Sequence, residues 1–368
     1  SQTNHLKSYG IAFLSIQNEV KVDWLLNYKG GSFLIKHYPE IEKECIVRGV
    51  SYQIIADAQS TEILRSISSP SVNQDVVRLE KTPKIAIYSP KNKQPWDDAV
   101  TMALTYAEIP YDIIYDEEVL SGVLPLYDWL HLHHEDFTGQ YGKFYASFKN
   151  ATWYKEQKVL YEQLAIKLGF NKVSKEKLAV SLKIKEFIMG GGFIFAMCSA
   201  TDSYDIALAS QNTDICAHMF DGDPIESGAQ SKLDFSKTLA FKDFKLVTNP
   251  NQYEFSNIDA TSTRKIKAEI DFFTLFDFSA KWDPVPTMLC QNHTMVIKGF
   301  MGQTTSFNNQ FIKSNVLIMG ETKSTDEARY IHGKLGNGTW TFYGGHDPED
   351  YQHRVGDPKT DLSLHPNS

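Results

Sequence analysis

The chain has 368 residues, of which 42% are hydrophobic and 22% charged, enough apolar material to bury a sizeable core as one large domain or two unequal ones. A net charge of −8 and a pI near 5.8 leave no basic run of the kind that polyanion binding needs, which argues against nucleic acid as a partner. No apolar run approaches the roughly 18–20 residues that cross a bilayer, so no membrane span is expected.

Within the first 80 residues, apolar runs at 9–16, 22–27 and 50–55 surround a charged helical pattern at 38–48. Together they predict a small N-terminal α/β segment over 1–80, with the Ser- and Pro-rich stretch 66–73 as its candidate boundary. Residues 84–88 then read as a buried strand, 96–107 as a helix, 111–115 as a second strand and 127–134 as a third. Helical patterns at 153–168 and 174–189 come next, ended by Gly190-Gly191-Gly192. A fourth strand at 193–197 leads into a helix at 199–209. Strands alternating with helices predict a flavodoxin-like α/β fold, a parallel sheet with helices on both faces, whose chemistry gathers at the carboxyl ends of the strands. From about 220 to 310 the pattern turns to short, aromatic-rich, strand-like runs, including 271–278, which read as a β-rich insertion. Residues 313–321 predict another strand, 329–332 a strand or a loop lining the cleft, and 339–343 a final strand within the second unit, 81–368.

The four cysteines, Cys45, Cys198, Cys216 and Cys290, have no paired spacing, which excludes a disulfide scaffold or zinc knuckle. Cys198 differs from the others in its surroundings. In Gly190-Gly-Gly-Phe-Ile-Phe-Ala-Met-Cys198-Ser-Ala200 a strand ends at the cysteine with small residues on either side, as a strained nucleophile elbow requires. The positive end of the following helix favours thiolate there. A buried cysteine that merely ends a core strand is the competing reading.

Gly344-Gly345-His346-Asp347-Pro348-Glu349-Asp350 comes directly after the last strand and offers a base with carboxylates close by to orient it. Alternatively, His346 caps a turn before Pro348. His131-Leu-His133-His134-Glu135-Asp136 ends the third strand at the same edge, where alternation places His131 and His133 on one face and His134 on the other. His133, Glu135 and His346 could ligate a divalent ion. The preferred role is local: Glu135 and Asp136 cap the next element, and the loop's N–H groups help to bind an oxyanion.

The elbow around Cys198 and the ending Gly338-Thr-Trp-Thr-Phe-Tyr-Gly-Gly-His346-Asp-Pro-Glu resemble the ThuA-like branch of the class I glutamine amidotransferase-like superfamily. The whole chain also resembles a Bacteroidetes group commonly labelled asparagine synthetase B, through residues 22–28, Leu130-His-Leu-His-His-Glu-Asp-Phe-Thr-Gly139 and Trp282-Asp-Pro-Val-Pro-Thr287. The resemblance implies a cysteine-dependent hydrolase or acyl or amido transferase acting on an amide or ester of a small molecule or cell-envelope component. Cys198 would be the nucleophile, His346 the base and then the acid, and Glu349 the orienting carboxylate with Glu135 in reserve; Ser199 N–H would be an oxyanion donor, with His133 and His134 in the pocket.

Active amidotransferases place Glu two residues after the His. Here Pro348 stands there, Glu349 lies one further on, and Ala196 and Ala200 replace the commoner glycines. The chain begins Ser1-Gln2 rather than with Cys and has no Ser-Gly-Gly-x-Asp-Ser loop, so ATP-dependent asparagine synthesis is not expected. With no phosphate-cradling loop, no ATP or dinucleotide cofactor is expected. The group also implies a removed secretory leader, hence the periplasm or cell envelope, with the cytoplasm as alternative, and a native chain continuing past Ser368. Two rival readings stand beside this one: a non-catalytic cell-envelope binding module, and a metal-dependent sugar-processing protein.

Overall fold

A computed structural model of the protein describes residues 4–91, 99–262, 270–283, 285 and 295–347. The N-terminal part comprises α1 (His5–Gln17), β1 (Val22–Leu26), β2 (Ser32–Ile35), α2 (Pro39–Val47), α3 (Asp57–Ile67) and β3 (Asp75–Leu79). The apolar run at 9–16 is the body of α1, and that at 50–55 forms no regular element. β1 pairs antiparallel with β2 and β3 on its two sides. The Ser- and Pro-rich stretch 66–73 therefore lies inside this small sheet unit, joining α3 to β3.

Next come β4 (Ile85–Tyr88), α4 (Ala99–Ala107), β5 (Asp112–Ile114), α5 (Asp116–Ser121), β6 (Trp129–Leu132), α6 (Tyr145–Phe148), α7 (Thr152–Lys167), α8 (Val173–Gly190), β7 (Phe193–Met197) and α9 (Ser199–Ala209). After α10 (His218–Asp221), the chain supplies β8 (Phe272–Leu275), β9 (Val296–Lys298), β10 (Phe307–Asn308), β11 (Leu317–Thr322), β12 (Glu327–Leu335) and β13 (Gly338–Tyr343). The main sheet runs β5-β4-β6-β7-β13-β12-β11-β8-β9, with β10 paired to β12. Its first five strands are parallel and the remainder antiparallel.

The parallel half has the flavodoxin-like strand order, and helices cover both of its faces. Ile85 and Ile87 of β4 pack with Leu104 of α4, while Ala86 and Tyr88 point the other way, into the cluster containing Val180 and Ile184 of α8. Both faces are dry, so the strands read as unbroken apolar runs instead of alternating ones. α8 ends where the glycines stand, with Gly191 at φ 121°. α9 is buried at every one of its 11 residues, which makes it the central helix.

Among the described residues of 220–310 most lie outside helices and strands, so the stretch is less β-rich than expected. Many of their backbone groups pair with other loop backbone, and some with buried side chains of the core. Asp205 of α9 accepts from Leu239, Ala240 and Phe241 N–H, and Lys143 Nζ donates to Val247 and Asn249 carbonyls. The strands described there are β8 and β9, which extend the main sheet, and the short β10, which pairs with β12. Residues 329–332 belong to strand β12, next to the final strand.

Candidate active site

Strands β6, β7 and β13 are adjacent and parallel, so the loops at their carboxyl ends converge on one edge. Cys198 lies between β7 and α9, with φ 54° and ψ −136°, a conformation that non-glycine residues rarely adopt. Its N–H donates to Tyr343 O at 3.2 Å, which ties the elbow to the end of β13. Ala196 and Ala200 are fully buried in the core beneath the elbow. Ser199 opens α9, and its hydroxyl donates to His134 O at 2.6 Å, fixing the β6 loop to the helix start.

Gly344 and Gly345 carry β13 to His346. Gly345 has φ 81°, and a methyl group on Gly344 would lie 2.2 Å from Thr305 O, so neither position tolerates a side chain. The His346 ring stands beside the thiol: a methyl group placed on Gly302 would lie 2.7 Å from His346 Nδ1 and 2.8 Å from Cys198 Sγ. Burial pushes the thiol up, but the neighbouring His346 and the N–H groups of Gln303 and Thr304 outweigh that effect and bring Cys198 below its ordinary value. The structure thus brings together the predicted nucleophile and base. Glu349, the expected orienting carboxylate, lies outside the described residues, as do Pro348 and Cys290.

β6 ends at Leu132, two residues earlier than expected, so strand alternation does not govern His133 and His134. Their rings lie against each other, with centroids 3.8 Å apart, instead of on opposite faces; the His134 ring is 4.7 Å and the His133 ring 6.0 Å from His346. His131 turns back into the sheet, with Nδ1 2.9 Å from Phe195 O. Glu135 does not cap the next element: it accepts from Tyr161 Oη at 3.2 Å. Asp136 does, accepting from the N–H groups of Thr138, Gln140 and Gly142. One nitrogen each from His133 and His134 and one oxygen of Glu135 lie within 4.8 Å of one another, a set that fits a divalent transition metal. This set differs from the one expected, because His134 takes the place given to His346.

Two groups of residues at the site went unforeseen. One is the segment Phe300 to Ser306, which crosses directly over Cys198; its run of Gly and small polar residues was the available signal. The other is a buried charge behind Tyr161: Lys177 of α8 donates to Asp116 at 2.6 Å, Tyr115 at 2.8 Å and Tyr88 at 3.0 Å. Spacing could not reveal it, since lysine on a helix ordinarily faces solvent.

No protein-family model and no curated protein matches this sequence. Among solved structures, the chain is similar to the cytoplasmic protein STM3548 from Salmonella typhimurium, with 8% identity, a TM-score of 0.36 and coverage of 73% of this chain and 89% of that one. It is also similar to the cytoplasmic protein STM1381 from Salmonella typhimurium LT2, with 11% identity, a TM-score of 0.36 and coverage of 77% and 93%. A third likeness is to Gan42B, a GH42 β-galactosidase from G. stearothermophilus, with 10% identity and a TM-score of 0.30; 73% of this chain aligns, over 28% of the galactosidase. Likenesses at these TM-scores say nothing about activity. Among the described residues, no helix is long and apolar enough to cross a membrane.

Proposed function

We propose that the protein is a cysteine-dependent hydrolase or acyl or amido transferase acting on an amide or ester of a small molecule or cell-envelope component. The observation that carries this reading is Cys198 itself: a strained elbow cysteine at the carboxyl edge of a parallel sheet, with the His346 ring beside its sulfur. In the proposed reaction, the Cys198 thiolate attacks the substrate carbonyl carbon and forms a C–S bond. The C–N or C–O bond breaks as His346 delivers its proton to the leaving amine or alcohol. Water, or an acceptor amine or alcohol, then gives a proton to His346 and attacks the thioester, whose C–S bond breaks to release the acyl product and restore the thiolate–imidazolium pair. Ser199 N–H, in the first turn of α9, is the proposed oxyanion donor. By resemblance, Glu349 orients His346, and the compartment is the periplasm or cell envelope.

The test uses p-nitrophenyl acetate as a substrate-independent acyl donor. The reading predicts one equivalent of nitrophenolate released in a burst, with one acetyl group per chain mapped to Cys198 and none in Cys198→Ser. Absence of acetylation at Cys198 would leave the non-catalytic binding module as the better account.

A metal-dependent reading is favoured by a different observation, the convergence of His133, His134 and Glu135. A Zn²⁺ ion held there would lie beside His346 and would supply Lewis-acid chemistry at the same edge.

A further inference from the structure

The segment from Phe300 to Ser306 is a strap laid across the reacting sulfur. Met301 N–H donates to Asp347 O at 2.8 Å, and the N–H groups of His346 and Asp347 donate back to Met301 O. Gly345 N–H donates to Thr304 O, so the strap is zipped along the loop that carries His346. Gly302, at φ 142°, passes so close that a methyl group on it would lie 2.7 Å from His346 Nδ1 and 2.8 Å from Cys198 Sγ. The next residue, Gln303, donates its backbone N–H to Cys198 Sγ at 3.0 Å. With the strap in place, Cys198 is only 2% exposed.

What holds the strap is a set of buried polar anchors. The Gln303 carboxamide, itself 4% exposed, donates to Gly142 O at 3.1 Å and Tyr253 O at 2.7 Å, joining the β6–α6 connection to the irregular segment. The Thr304 hydroxyl donates to Asp202 Oδ1 at 3.0 Å, one turn along α9 from Cys198. At the ends, Gly299 N–H reaches Asp271 O, and Arg329 holds Thr305 O and the Asp271 carboxylate together. None of these anchors belongs to the parallel core's own strand-end loops except Gly142.

We propose that the strap is a movable cradle for the sulfur anion: Gln303 is a positioning residue whose carboxamide aims the Gln303 and Thr304 N–H groups at Cys198, and the same strap must lift to admit substrate. This rests on the nucleophile reading above and deepens it, because it assigns the second half of the reacting centre to the irregular segment instead of to the sheet. The strap itself brings no titratable group. Those facing Cys198 are His346 after β13, Asp202 of α9 and Tyr253 of the irregular segment; His133 and His134 stand behind His346, and Asp259 faces Asp202. Burial first, then Asp259 and Cys198, hold the Asp202 carboxyl well above its ordinary range.

Two effects of loosening the strap run in opposite directions: fewer N–H groups reach the sulfur, and more solvent does. The experiment follows Cys198 alkylation by iodoacetamide from pH 5 to 10 in the full chain, for wild type, Gln303→Ala and Thr304→Val, with His346→Ala as reference and circular dichroism to confirm folding. The expected result for Gln303→Ala is a midpoint raised by about one pH unit, together with a plateau rate at high pH several-fold above wild type. Thr304→Val, which removes the other anchor, should move both in the same directions, by less. A Gln303→Ala midpoint equal to wild type overturns the cradle, while His346→Ala still shifting the midpoint would leave the nucleophile reading intact. No shift in either variant would sink both.

Discussion

At Cys198 the backbone sits at φ 54°, which costs a non-glycine residue on the order of 1–3 kcal/mol and persists only where the surroundings enforce it. Here the fully buried alanines on either side, the bond to Tyr343 O and the covering strap do so. The histidine pair offers a separate test at the same scale. If His133, His134 and Glu135 hold a metal, the purified protein reconstituted with Zn²⁺ binds one equivalent at micromolar affinity or tighter, and His134→Ala or Glu135→Gln lowers that affinity at least tenfold, read by a competing chromophoric chelator. Binding that survives both substitutions unchanged would exclude this ligand set. The meeting of Cys198 and His346 at one sheet edge was legible in the sequence, because small flanking residues and a Gly-Gly-His turn after a strand are steric requirements that residue order displays. The His133–His134 contact was not, because alternation holds only while a strand lasts, and β6 stops at Leu132. Gln303 was not legible either: what it sets in place is backbone N–H groups, and every residue but proline has one.

At the scale of elements, α8, β7 and α9 fall within a residue or two of their expected bounds, since continuous apolar runs, a glycine stop and helical spacing all agree there. The irregular segment differed because aromatic residues pack equally well in loops whose N–H and C=O groups pair with other loop backbone and with buried side chains such as Asp205 and Lys143. Another such buried side chain, Lys177 of α8, locks α5 to α8 through Asp116, and the pair is 2% and 1% exposed. Burial disfavours the ammonium, yet Asp116, then Glu176 and Glu135, outweigh this and raise Lys177 above its ordinary value, so the lysine is charged inside the core. Removing one partner of a buried pair strands the other charge, at a cost of about 3–5 kcal/mol. Lys177→Met is expected to lose about that much in urea unfolding, and Lys177→Met with Asp116→Leu distinctly less. Equal losses in the single and double variants would show that the ion pair is not what joins these helices.

For the whole molecule, the strand order of the parallel half comes from alternating strands and helices, but the antiparallel half of the sheet does not, because β8 and β11 meet across more than forty residues of intervening chain. That half matters for the site: β12 presents Arg329, whose pairing with Asp271 holds both ends of the strap. Elbow, histidine loop and strap, drawn from three different parts of the chain, meet at one sulfur. The most direct test of the account is the pH dependence of Cys198 alkylation in wild type against His346→Ala. A nearby positive charge stabilises thiolate, so the wild-type midpoint is expected below the ordinary thiol value of about 8.5 and should rise toward it when His346 is removed. A wild-type midpoint at or above that value, unmoved by His346→Ala, would contradict the claim that these two residues form a catalytic pair.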